Sequence, residues 1–525
     1  MIKNKAPFKV IFSNDTTNIE TCTSPYSPYE FEKNPKTAQP FTPEMLEGTV
    51  DETVGTGIEV HLLQPGVGWV PWWNSKAYPY QEHVKFLKER FGMDPSQSGF
   101  AQYMANGGDI VKVFVDRCRE KGIVPFVSFR LNDSHGHEYV NAPREELRGF
   151  LWHCLTPIHV NHPEWRLGED LTDWNNRVLN WTIPEVRKLK FKFIEEIIEQ
   201  YDIDGFELDF MRHNNFFKQD ETTSEQRLAI MSGFVRQVRE TLDRTAKDGH
   251  HKWLCVRIPC HLSGHDSLGI DIKTYADAGV DMFNLCSSFF TEQQSDMQEI
   301  VRIVPDKAVY LESTSAAAFG ESLGPYDQSF WRMTDNQYYT LAHLVYSRGG
   351  SGVSAFNFVY YRPHHGNPDI GPFNEPPFHV FNHAGDPDWL AKQPQHYFLG
   401  VNWSPYNKKT QLTQTLAAGQ SVTFALDMAP PTGGWKKGGR FRIQAAANLD
   451  GTQWKVTLNG TELTQTQDCS EPYETPYTNC LGSPQTLRAW VVKPETLIDG
   501  DNKVEVAMLS GGGETKLVFL DFGIE

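Results

Sequence analysis

The sequence predicts a (β/α)8 barrel followed by a β-sandwich, and three observations carry that expectation. Eight short apolar runs alternate with helical stripes up to about residue 400. Beyond residue 410 the helical stripes stop, and strand-like runs continue alone between Gly, Asn, Pro and Asp turns. The chain has 525 residues, more than one ordinary domain holds. The expected division is a barrel over residues 1–405 and a jelly-roll-like β-sandwich over residues 410–525. A doubly wound open sheet is the structural alternative, but nothing in that fold favours eight units.

Taken in order, Phe8 to Ser13 reads as the first strand and leads into the polar run Asn14 to Asn18. Gly57 to Leu63 is the second, ended by Gln64-Pro65-Gly66. A helix over residues 99–121, with Gly122 as its C-cap, precedes the third strand, Ile123 to Leu131. Residues 132–181 form a long insertion with little periodicity, and loops of that length usually carry function. Pro184 opens a helix whose stripe is Val186, Leu189, Phe193, Ile197 and Tyr201. The fourth strand, Phe206 to Phe210, carries Glu207 and Asp209 on one face. Trp253 to His261, Asp281 to Ser287, Ala308 to Thr314 and Gly352 to Phe358 complete the eight. A helix spans Lys273 to Ala278, and Thr334 with Gln337 makes a capping box before a helix over Tyr338 to Ser347. Five strands are expected in the C-terminal part: Ser421 to Leu426, Arg440 to Ala445, Lys455 to Leu458, Lys503 to Leu509 and Lys516 to Phe522.

The net charge of -17 argues against nucleic acid or an anionic membrane as a general partner. No run of about 18 apolar residues predicts a membrane span. The opening MIKNKAPFKV has no apolar signal core. Of eight cysteines, Cys469 and Cys480 lie close enough in a Pro-rich stretch to bridge, though spacing alone does not decide it.

The sequence holds no GxSxG elbow, HExxH, CxxC or Walker loop. What remains is a barrel with acids at strand ends and ring-rich loops. Glycoside hydrolysis needs that combination: two carboxylates across the scissile bond and flat surfaces for sugar faces. Asp209 and Glu312, at the ends of the fourth and seventh strands, are the expected catalytic pair. Glu292 and Asp266 are the rivals for the second position. Glu207 is expected one pleat deeper, buried against Arg257 of the fifth strand and hence structural, or else a third catalytic acid. Candidate substrate contacts at strand ends are Asn14, Asp15, His61, Arg130, Asn132, His135, Arg212, His213, His261 and Asn357. Trp72 and Trp73 read equally well as a sugar-stacking platform or as a packed loop core. The histidines show no clear ligand spacing, so neither a catalytic metal nor another cofactor is expected.

The segments DGFELD (204–209) and LES (311–313) resemble glycoside hydrolases with (β/α)8 barrels and acids on strands four and seven. SNDTTN, VRIP and GVDMFN are similar to family-10-like hydrolases of polysaccharide-degrading bacteria, and the whole bears a looser likeness to the endo-fucanases of family 168. The resemblance implies a polysaccharide or oligosaccharide substrate, among which a sulfated glycan such as fucan is one case. It implies a retaining mechanism with Glu312 as nucleophile and Asp209 as acid/base. It also implies a periplasmic, secreted or cell-surface bacterial protein. The strand-four pattern Asn-Glu of such enzymes is missing here, since Phe210 follows Asp209. The competing expectations are a catalytically inactive glycan-binding barrel and a metal-dependent hydrolase.

Overall fold

The computed structural model describes residues 5–27, 41–66, 68–94, 99–143, 146, 151–247, 249–323, 328–362, 375–401, 411–472 and 484–525. Eight parallel strands close into a barrel: β1 (Val10–Asp15), β2 (Val60–Gln64), β3 (Val124–Arg130), β4 (Gly205–Asp209), β5 (Trp253–Pro259), β6 (Met282–Cys286), β7 (Ala308–Ser313) and β10 (Gly352–Phe356). Between the last two, Ala316–Leu323 (β8) and Gln328–Arg332 (β9) form an antiparallel hairpin. The barrel strands are buried almost throughout, as parallel strands covered on both faces must be. Gly205 starts β4 because a Cβ there would stand 2.4 Å from the ring of Phe126 on β3. All eight C-terminal ends share one mouth, since every pairing is parallel.

The expected helix over 99–121 is two helices, Gly99–Ala105 and Ile110–Lys121. Gly107 takes a left-handed φ of 85° at the break, and the Asp109 side chain accepts from the Lys112 N–H to cap the second helix. Gly122 ends it in the left-handed conformation, as expected.

The C-terminal part is two antiparallel sheets over a shared core that includes Phe424, Phe441, Trp490 and Phe522. One sheet contains Gly439–Ala445, Leu487–Val492 and Thr515–Ile524; the other contains Ser421–Met428, Gln453–Leu458 and Gly500–Ser510. Gln395–Leu399 pairs with Thr515–Ile524, so the second sheet system starts ahead of residue 405. Phe519 joins the two parts by packing on Trp331 and Phe319 of the hairpin. No helix among the described residues is long and apolar enough to cross a membrane. Cys480 lies outside the described residues, and with it the expected bridge to Cys469.

Candidate active site

β4 places Glu207 and Asp209 on its inward face, and the sheet register sets Asp209 beside Arg130 of β3 and Arg257 of β5. Arg257 is the centre of the mouth. Its Nη1 donates to Asp209 Oδ1 (3.0 Å), while Nε and Nη2 donate to Glu312 in a bidentate pair (2.7 and 2.6 Å). Nη2 also donates to the Ser288 carbonyl, and the guanidinium lies 4.3 Å from the centre of the Phe356 ring. Asp209 further accepts from the Gln64 amide (3.1 Å) and the Met211 N–H (2.8 Å). All three charged side chains are at most 2% exposed. Burial lifts the Glu312 carboxyl to about 7 against the pull of Arg257, and Glu207 and Asp209 add repulsion.

The expected Glu207–Arg257 pair does not form. Arg257 stands opposite Asp209, and Cys255 stands opposite Glu207. Glu207 contacts neutral groups: Ser128 Oγ (2.7 Å), Asn284 Nδ2 (3.1 Å) and Cys255 Sγ (3.3 Å). Burial, then the charge of Asp209, raises its carboxyl above the usual range. Asn284 spans the two tiers, reaching Glu312 at 3.4 Å as well.

A second polar cluster occupies the ends of β1, β3 and β4. Arg130 pairs with Asp15 and with Asp133 (3.0 Å). Asp133 Oδ1 holds the His135 N–H (2.8 Å) and Nδ1 (2.7 Å). Sequence reasoning missed Asp133; the polar run from Asn132 to His137 at a strand end is the signal that marks it. Arg212 Nη2 donates to His135 Nε2 at 2.6 Å. Arginine has only donors, so this bond puts the His135 proton on Nδ1, facing Asp133. The Ser134 N–H donates to His213 Nδ1 (3.0 Å), which leaves the His213 proton on Nε2, a buried atom with no hydrogen bond. Trp174, 49% exposed, stacks on His213 at 5.0 Å and 14°. Asp133, His135 and His213 lie close enough to hold a metal ion, but the proton on His135 Nδ1 and the adjacent Arg130 and Arg212 oppose a cation there.

Other expected contacts fall elsewhere. Asn14 and Asn357 sit at the mouth, where both accept from Asn18 Nδ2 (3.4 and 2.7 Å). Asn132 is spent on backbone, bonding Leu179 and the Asn215 carbonyl, and so ties the 132–181 insertion to the loop after β4. His61 points into the helix layer between the rings of Phe12 and Phe114, where burial lowers it to about 3. Trp72 stacks on Phe100, and Trp73 packs on Phe129 and Phe193. At 5% and 1% exposure the two tryptophans are loop core, not a sugar platform. His261 pairs with Glu292 (3.0 Å). Asp266 is a surface partner of Arg227. Beside the mouth, Phe289, Phe290, Phe330, Tyr360 and Asn357 line a cavity of about 240 Å³.

No protein-family model matches the chain, and no curated protein matches it. Solved structures similar to it include a Paenibacillus cycloisomaltooligosaccharide glucanotransferase complexed with cycloisomaltoheptaose (11% identity, TM-score 0.33), with 97% of this chain and 57% of that one covered. The chain thus spans little more than half of that enzyme. The α-amylase from Geobacillus thermoleovorans complexed with acarbose is another (12% identity, TM-score 0.36, 95% and 98% covered). A third is α-L-fucosidase isoenzyme 1 from Paenibacillus thiaminolyticus (13% identity, TM-score 0.35, 95% and 96% covered). Likeness this distant assigns no chemistry.

Proposed function

We propose that the protein is a glycoside hydrolase acting on a polysaccharide or oligosaccharide, with Asp209 and Glu312 as its carboxylate pair. The observation that carries this is the convergence of both acids on Arg257 at the mouth. One guanidinium bonds both acids, an arrangement that favours the closely spaced pair of a retaining enzyme, roughly 5–5.5 Å apart. The environments favour the reverse of the roles that the resemblance implies. Glu312, raised to about 7, keeps a proton to give to the leaving oxygen. Asp209, fixed by three donors, is the nucleophile.

The rim supports an anionic glycan, such as a sulfated fucan. Among the described residues no carboxylate lies within ion-pair distance of Arg212, and its Nε is buried without a hydrogen bond. The His213 Nε2–H beside it also lacks an acceptor. A sulfate or carboxylate would satisfy both, with Trp174 as the ring surface for a sugar face. A periplasmic, secreted or cell-surface location follows from such a substrate.

Reducing-sugar release should be measured across neutral and sulfated polysaccharides with the wild type, Asp209→Asn and Glu312→Gln. Release from one substrate class, lost by orders of magnitude in both variants at unchanged melting temperature, is the expected result. One observation favours a second reading, an inactive glycan-binding barrel: Asp209 and Glu312 are both fully buried in ion pairs. Retardation in a glycan-loaded gel without sugar release would select it.

A further inference from the structure

The end of β5 and the loop after β6 bring together a cysteine, an imidazole and two carboxylates. His261 Nε2 lies 3.0 Å from Glu292 Oε1, and Cys260 Sγ lies 3.9 Å from Glu292 Oε2. One donor atom from each of the three falls within 4.8 Å of the others. Two ligands at about 2.0–2.3 Å from a tetrahedral ion stand roughly 3.3–3.8 Å apart, so small side-chain shifts suffice to close the set.

The other side of the imidazole supplies the independent observation. His261 Nδ1 is buried with no hydrogen bond, and the nearest carboxylate oxygen, Asp296 Oδ1, is 3.8 Å away. Asp296 is fixed in turn, because its Oδ2 accepts from the Leu262 N–H at 2.9 Å. A histidine that ligates a metal through one nitrogen characteristically donates from the other to a carboxylate, which sets its tautomer. His261 between Glu292 and Asp296 has that layout. A cavity of about 450 Å³, bounded by the barrel and the β-sandwich, opens onto His261, Glu292 and Asp296 and leaves room for a water as fourth ligand.

We infer that Cys260, His261 and Glu292 form a binding site for a divalent metal ion of the zinc class, with Asp296 orienting His261. A mixed sulfur, nitrogen and oxygen donor set selects zinc over magnesium or calcium. Binding releases the Cys260 thiol proton, and the His261 ring proton sits on Nδ1, facing Asp296. The ion would tie the end of β5 to the loop after β6 beside the sandwich. This reverses the sequence expectation of no metal and stands independently of the proposed glycosidase activity.

Chelator-treated full-length protein should be titrated with zinc by calorimetry, and with cobalt by absorption. The expected result is one ion per chain, a raised melting temperature and a thiolate-to-cobalt charge-transfer band. His261→Gln and Glu292→Gln should each abolish the site, and Cys260→Ser should remove the band. Asp296→Asn should weaken binding about 10–100-fold at unchanged stoichiometry. Circular dichroism of the metal-free variants checks folding, and three separate ligand variants keep the test open if one fails to fold. Absence of zinc binding, or binding unchanged in the folded ligand variants, would overturn the inference.

Discussion

Glu207 and Asp209 sit two residues apart on one strand and face the same barrel interior, yet they live in different chemistry. Glu207 is surrounded by a hydroxyl, an amide and a thiol, and burial raises its carboxyl above the usual range. Asp209 is tied to a guanidinium, an amide and a backbone N–H. One pleat of height separates an acid among uncharged donors from an acid bound to a cation. At the top tier Arg257 collects two carboxylates.

The largest effect expected from that contrast is at Arg257. Arg257→Met leaves Asp209 and Glu312 buried without their cation, and losing one partner of such a group costs about 3–5 kcal/mol. Chemical denaturation measures it; a loss under about 1 kcal/mol would show that the triad is solvated. Trp73→Ala should cost about 3–5 kcal/mol, because the side chain fills loop core against Phe129 and Phe193. Trp174→Ala should leave stability nearly unchanged and raise KM, so the two tryptophans separate packing from binding.

The smallest effect expected is at Glu207. Glu207→Gln keeps the side-chain shape among uncharged partners and should cost about 1 kcal/mol or less. A loss as large as that of Arg257→Met would restore the Glu207–Arg257 pair that the sequence suggests. The acid tier also predicts a pH slope. Glu312 titrates near 7 in the fold against a usual 4.5, so the native state binds more protons across that window. Stability falls as pH rises through it and is flat below. Melting temperatures of the wild type and Glu312→Gln should therefore converge at the acidic end and diverge toward neutrality.

The contrast also shows what the sequence could and could not carry. Period-two alternation puts Glu207 and Asp209 on one face, and strand-end position marks Asp209 and Glu312. Alternation equally puts Cys255 and Arg257 on one face, but not which of them meets Glu207. That depends on the stagger between β4 and β5, a property of the closed barrel. The Trp72–Trp73 loop fails for a related reason: ring content is local, whereas its burial depends on Phe100 and Phe193 from other elements. The β8–β9 hairpin gives little signal, since the start of β8 is a run of alanines without alternation. The site's missed member, Asp133, lay among residues already singled out on either side.

The pH dependence of kcat/KM on the substrate found by screening tests the central claim most directly. If Glu312 donates the proton and Asp209 attacks, activity falls as pH rises through about 7. Glu312→Gln removes that limb together with most of the rate. A rate that stays flat through 7, or near-normal turnover by Glu312→Gln, would contradict the assignment.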